Sequence, residues 1–357
     1  MVDTNARESR RPVVRRRMIG LVGTGLLGTV AGYSGDGKAS SGTSGATDCS
    51  ASDEYDIVVA QDGSGDYETV QAAIDAVPSD TSEETRVYIK EGRYKEKLEL
   101  PADRTDVTFI GESVEETVLT YDDHADKIGD DGEEIGTSGS SSFFVYGSDF
   151  TAKNITFENA APDVAQAVAI RIKADRVAFE NCRFIGNQDT LYNFGRRTRQ
   201  YFEDCYIEGD VDFIFGRATA FFEDCEIRCK DEGFIAAPAQ PENVAHGFVF
   251  RDCDVVGDAP SETVYLGRPW EPYGQTVYID CDLGDHIRPQ GWEPWDEPEH
   301  GDKTKTAFFA EYDNSGPGYT PDQRADWSHQ LSETEAEQYT IEAVLDGWDP
   351  QSRLEKR

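Results

Sequence analysis

The chain has 357 residues, with 70 acidic side chains against 34 basic ones and a formal net charge of −36. That balance excludes nucleic acid and anionic membrane as partners, because both require a basic surface. The acids are spread along the whole chain, not gathered in a tail. This favours a surface built for molar salt, where the Debye length shrinks to about 3 Å, over one that is only well solvated.

Residues 1–33 carry six Arg against Asp3 and Glu8, and Arg15, Arg16 and Arg17 precede the uncharged, Gly-rich run "MIGLVGTGLLGTVAG" at 18–32. A run this short suits a signal-peptide core better than a membrane span. Paired arginines ahead of a weakly apolar core read as a twin-arginine export signal. Tyr33 stands where a lipid-anchored protein would have Cys. Residues 34–52, rich in Ser, Gly and Asp, read as a flexible linker. The expected organisation is therefore an export signal (1–33), a linker (34–52), one folded domain (53–350) and a C-terminal tail (351–357).

Within the domain one phrase recurs: "FENCRF" (179–184), "FEDCYI" (202–207), "FEDCEI" (222–227), "FRDCDV" (250–255) and "YIDCDL" (278–283), with a Cys-less "NITFEN" at 154–159. Self-similarity at intervals of roughly 20–30 residues signals a solenoid. Each copy alternates apolar and polar residues, and none contains a long run of helical period. The expectation is an all-β parallel β-helix, one coil per repeat, with long loops flanking a surface groove. A β-sandwich would need tight hairpin turns such as Asn-Gly, which are missing between the copies.

Seven cysteines occur, with no C-x-x-C pair, so a metal site has no support. A column of Cys on neighbouring coils is by default a buried apolar ladder. Stacked positions lie about 4.8 Å apart, within disulfide range, and export to an oxidising compartment makes Cys205–Cys225 the pairing to expect.

Asp189 lies seven residues after Cys182, and Asp212 seven after Cys205, so the two occupy one position on successive coils. Gln166, 23 residues further back, extends the column, and Gln188 adjoins Asp189. Two carboxylates about 5 Å apart repel by roughly 3 kcal/mol at an effective dielectric of 20, so one should hold a proton when the other does not. That splitting suits a general acid beside a nucleophile or base. The bland alternative is an Asp/Asn ladder that satisfies turn amides. The amides and apolar flanks favour chemistry.

Four stretches carry a resemblance. "QAVA" (166–169), "GNQDTLY" (186–192), "DFIFG" (212–216) and "LGRPW" (266–270) are similar, in order, to the signature blocks of the pectin methylesterases. Weaker likeness extends from "QDGSGDYETVQAAIDAVP" (61–78) to "GWEPW" (291–295) and Trp348. The resemblance implies a right-handed parallel β-helix and hydrolysis of the methyl esters of pectin without metal or cofactor. It implies Asp212 as nucleophile, Asp189 as general acid then base, Gln166 and Gln188 as the oxyanion hole, and Arg268 as the group that orients and ionises Asp212. Trp270, Tyr192, Phe215 and Val211 would contact galacturonate rings; for Phe215, core packing is an equal alternative. A monomer is expected.

The pattern departs from the family at four places. Asn187 replaces an aromatic residue, Asp210 is acidic just before the nucleophile, "IAAPAQ" (235–240) lacks a Thr and a Gln, and the insert "YDDHADKIGDDGEE" (121–134) is acidic enough to matter if it reaches the cleft. Rival readings are weaker. No G-x-S-x-G exists for a serine esterase. Two acids on this fold would also serve a glycoside hydrolase. "RIK" (171–173) is similar to a polygalacturonase motif, but it precedes both aspartates and lacks Gly-His-Gly. A calcium-dependent lyase would gather several acids without an Arg–Asp pair. A non-catalytic sugar-binding β-helix would tolerate loss of both aspartates.

Overall fold

A computed structural model describes residues 55–295 and 301–355. The export signal and linker expected at 1–52 lie outside the described residues, as does Cys49. Among the described residues no helix is long and apolar enough to cross a membrane.

The recurring phrase is one corner of a coil. Its Phe lies on a strand of an 11-stranded, wholly parallel sheet, where Phe179, Phe202, Phe222, Phe250 and Tyr278 pair in register. Their rings stack at centroid spacings of 5.0, 4.6, 4.6 and 4.4 Å inside the coil. The following Asn or Asp turns the chain. Asn154, Asn181, Asp204, Asp224, Asp252 and Asp280 have φ between 49° and 56°, the left-handed region that Asn and Asp enter most readily among residues with a Cβ. The Cys then points inward, and a second column of parallel strands begins.

A third column runs through Leu98–Leu100, Phe143–Val145, Ile170–Ile172, Leu191–Asn193 and Val264–Gly267. The long strands Tyr206–Gly216 and Glu226–Pro238 belong to both the second and third columns, so the two fuse into one sheet. Every strand pairing between these columns is parallel, and consecutive parallel strands cross over right-handedly. The fold is a right-handed parallel β-helix: the solenoid is what the repeat implies, and its hand is what the resemblance implies.

The helix Val70–Ala76, N-capped by Thr69, buries Val70, Ala73 and Ile74 in the main core, next to the first strands. Short helical turns at Ile341–Val344 and Gln351–Leu354 cover the outer face of the 11-stranded sheet, where Val344, Leu345, Trp348 and Leu354 pack on Ala178, Tyr201, Phe221 and Val249. Leu354, in the stretch read as a tail, is thus buried, and Arg353 reaches Asp106 and Asp149.

The disulfide expectation is corrected. Cys205 and Cys225 are free thiols, as are the other four described cysteines. The Sγ atoms of the expected pair turn instead to carbonyls of the preceding coil, Cys205 to Phe179 O at 3.8 Å and Cys225 to Phe202 O at 3.5 Å. Backbone spacing alone permits a bridge, but in-register parallel strands hold their Cα–Cβ vectors side by side. A disulfide needs them inclined toward one another.

Candidate active site

The third column turns at Asp189 and at Asp212, with φ of 66° and 50°. Leu191 pairs with Ile214 and Tyr192 with Phe215, which keeps the two aspartates in the same position on successive coils, about 4.8 Å apart by backbone spacing. Asp212 sits inside the strand Tyr206–Gly216, where the register to the next coil shifts between Val211 and Ile214. A bulge of this kind re-aims a side chain. Gly216 closes the segment at φ 126°, where an added Cβ would lie 2.1 Å from Asn193 O.

Both carboxylates face a cleft of about 500 Å³, which Gln166, Gln188, Tyr192, Phe215, Arg268 and Trp270 also line. Arg268 reaches Asp212 as a fork, Nε to Oδ1 at 2.9 Å and Nη2 to Oδ2 at 2.7 Å. It arrives from two coils further on, across Ala236 and Ala237, whose small side chains leave its path open. The Ala residues of the divergent "IAAPAQ" stretch therefore form the floor beneath the ion pair.

Neither aspartate behaves as a turn ladder. Among the described residues the Asp212 carboxylate bonds only to Arg268, and the Asp189 carboxyl has no hydrogen-bond partner; the Asp189 backbone N–H donates to Val211 O at 3.0 Å. Burial, then the neighbouring Asp212 charge, push Asp189 well above the usual carboxylate range. Burial also raises Asp212, but the Arg268 hydrogen bonds and charge oppose it. Burial and the like charge thus hold Asp189 toward its protonated form, while Arg268 holds Asp212 toward its ionised form. Asp210 acts on Asp189, raising it, and not on Asp212 as its sequence position suggests. Its carboxylate is occupied by Val211 N at 2.6 Å.

Gln166 is not in the aspartate column. Ile170 pairs with Leu191, a register that sets Val168 opposite Asp189. Gln166 instead lies beside Gln188, with Ala167 N donating to Gln188 O. Both side-chain amides are half-buried and unengaged by protein among the described residues. The acidic insert is anchored here, Ala125 N to Gln166 O at 2.8 Å, and the segment after it, Ile135 to Ser138, forms one cleft wall.

Of the expected ring contacts, Trp270, Tyr192 and Phe215 line the cleft and Val211 does not. Phe215 stacks on Tyr192 at 4.0 Å and is only 4% exposed, so it serves the core as well. Asn187 accepts a hydrogen bond from Lys230 and is drawn away from the cleft. Two residues escaped the sequence reading. The Arg268 guanidinium lies 3.7 Å above the Phe234 ring and 4.0 Å from that of Trp295, clamped between them. "GWEPW" held the signal for Trp295, but nothing tied it to Arg268.

Residues 56–348 match the family model described as Pectinesterase. The chain belongs to the pectinesterase family. Family members are carboxylic ester hydrolases, and this chain is one. Relatives include "Pectinesterase 31" of Arabidopsis thaliana, 44% identical over 81% of this chain and 92% of its own length. "Pectinesterase" of Petunia integrifolia is 38% identical over 75% of this chain and 73% of its own. Among solved structures, pectin methylesterase from carrot aligns with a TM-score of 0.75 at 32% identity, covering 86% of this chain and 95% of that one. A pectin methylesterase in complex with a hexasaccharide aligns at 0.72 and 30% identity, covering 83% and 98%.

Proposed function

We propose that this pectinesterase hydrolyses the methyl esters of polygalacturonate, giving pectate and methanol. The observation that carries the reading is the bidentate Arg268–Asp212 pair beside a carboxyl, Asp189, that keeps its proton. Asp212 attacks the ester carbonyl. The carbonyl π electrons move onto oxygen, and the oxyanion is held by the side-chain N–H groups of Gln166 and Gln188, which donate without titrating. As the intermediate collapses, Asp189 gives its proton to the departing methoxide, and methanol leaves. The galacturonyl group is now an anhydride on Asp212. Asp189, deprotonated, takes a proton from water, whose oxygen adds to the galacturonyl carbonyl. Expulsion of the Asp212 carboxylate frees the acid, and both aspartates return to their starting states. The reaction draws on no metal or cofactor.

Trp270, Tyr192 and Phe215 offer ring faces to the sugar chain. The relatives' printed names, and the hexasaccharide bound to one of them, support a pectic substrate. We take the protein to be exported and to act as a monomer. The test is to measure methanol and new reducing ends from highly methylated pectin. Methanol without reducing ends is expected. Reducing ends without methanol would make the chain a glycosidase or lyase instead.

A further inference from the structure

Gln166, one of the two amides that face the cleft, stands on irregular backbone. Residues 166–169 belong to no strand, so strand pairing does not hold this side chain in place. A hub of hydrogen bonds at Asn159, the last residue of the strand Thr156–Asn159, does so instead. Asn159 is only 4% exposed. Its Nδ2 faces three carbonyls, Asp123 O at 2.9 Å, Ser140 O at 3.1 Å and Val168 O at 3.0 Å. Its Oδ1 accepts from Ala161 N at 2.9 Å. One side chain thus joins the start of the acidic insert, the segment that follows the cleft wall, the loop ahead of Gln166 and the "QAVA" stretch itself.

Ser140 completes the hub. Its Oγ accepts from Val168 N at 3.1 Å and donates to Thr137 O at 2.8 Å, while Val168 O also accepts from Ser142 N at 3.0 Å. Ser140 is fully buried, so water does not compete for these bonds. Only an amide suits position 159. The three carbonyls need a donor and Ala161 N needs an acceptor, which a carboxylate or an aliphatic side chain cannot supply together. Either replacement leaves buried polar groups without partners.

We propose that Asn159 is a positioning residue for the reaction, which holds the Gln166 amide where it can donate to the oxyanion. Asn159 does not itself line the cleft, so it acts through Gln166 alone. The proposal rests on the esterase reading and adds a residue to it. A donor displaced by about 1 Å loses on the order of 10²-fold in rate, so a hub that removes this freedom acts on kcat more than on binding. Because Asp123 and Ser140 stand on either side of the acidic insert and cleft wall, both ends of that segment belong to the frame of the oxyanion hole.

The test compares Asn159→Ala with Asn314→Ala, a buried Asn of another coil whose bonds reach Cys281 N and Tyr278 O. Both variants should lose Tm. Only Asn159→Ala should lose kcat for methanol release, by about 10- to 100-fold, with KM within about twofold of wild type. In a Gln166→Ala background the loss should shrink to about twofold or less, because the positioned group is gone. Ser140→Ala removes one bond to the same segment; it should show this pattern on a smaller scale, and it carries the test if Asn159→Ala does not fold. In parallel, hydrogen exchange at the Ala167 and Val168 amides is followed by mass spectrometry, which needs no turnover. Faster exchange there in Asn159→Ala, and not in Asn314→Ala, supports the hub even if Gln166→Ala costs nothing, a result that would remove the oxyanion role of Gln166 alone. Unchanged exchange overturns the proposal. So does, where Gln166→Ala is itself impaired, an Asn159→Ala kcat equal to wild type or a loss that persists in full without Gln166. Each of these leaves the esterase reading intact.

Discussion

The guanidinium of Arg268 is fixed on three sides, by the Asp212 carboxylate and by the rings of Phe234 and Trp295. An ammonium can neither fork onto two oxygens nor lie flat between two rings. Arg268→Lys is therefore expected to loosen the grip that opposes the effect of burial on Asp212. Its ionisation would move to higher pH, and the acidic limb of the kcat/KM profile would shift upward with it. A limb that stays in place in Arg268→Lys, read from a pH series, would show that Arg268 does not control this charge. At this scale the sequence was informative where a residue type had few uses. Two aspartates at the same coil position, each flanked by apolar residues, are hard to explain by packing. The ring clamp was illegible because Phe234 and Trp295 lie far from Arg268 in sequence, and only coil stacking brings them together. Gln166 was misplaced for a related reason: the loop before Ile170 breaks the period on which counting depends.

At the scale of the coil, "FEDC" encodes four consecutive events: a ring in the ladder, a surface acid, a left-handed corner and a buried thiol. The periodicity was sufficient to predict the solenoid and the buried Cys ladder, but side-chain direction was not contained in it, and so one pair in that ladder, Cys205–Cys225, was read as bridged. The surface acids have their own consequence. Glu180, Glu203 and Glu223 pair in register on adjacent strands. Burial and the charges of Glu223 and Glu180 push Glu203 up to about 7. Because the folded state holds this proton more tightly than the unfolded one, the associated stability is full below the ordinary Glu range. It is lost as pH rises through about 7. Glu203→Gln mimics the protonated form, so its Tm should exceed that of wild type in alkaline buffer. The difference should close in acid. Thermal melts across the pH range check this, and a Tm difference independent of pH would refute it.

Over the whole molecule, charge and the sugar chain are in tension. A net charge of −36 repels a polyanionic product, and one cleft wall follows an acidic insert. Acids spread along a chain imply self-repulsion that salt relieves. Tm and methanol release should both rise between about 0.1 M and above 1 M salt, as the screening length falls from roughly 10 to 3 Å. A flat profile would make the acids a solubility feature only. Composition foretold this field, but not that a cation, Arg217, would lie over the Trp270 ring at the cleft, since only coil stacking brings the two together. The central claim is that Asp212 is the nucleophile, and the most direct measurement is methanol release by Asp212→Asn, with circular dichroism to verify the fold. The amide keeps the shape and removes the attacking charge, so kcat should fall by at least about 10³-fold. Release at a rate close to wild type from a correctly folded Asp212→Asn would contradict the account.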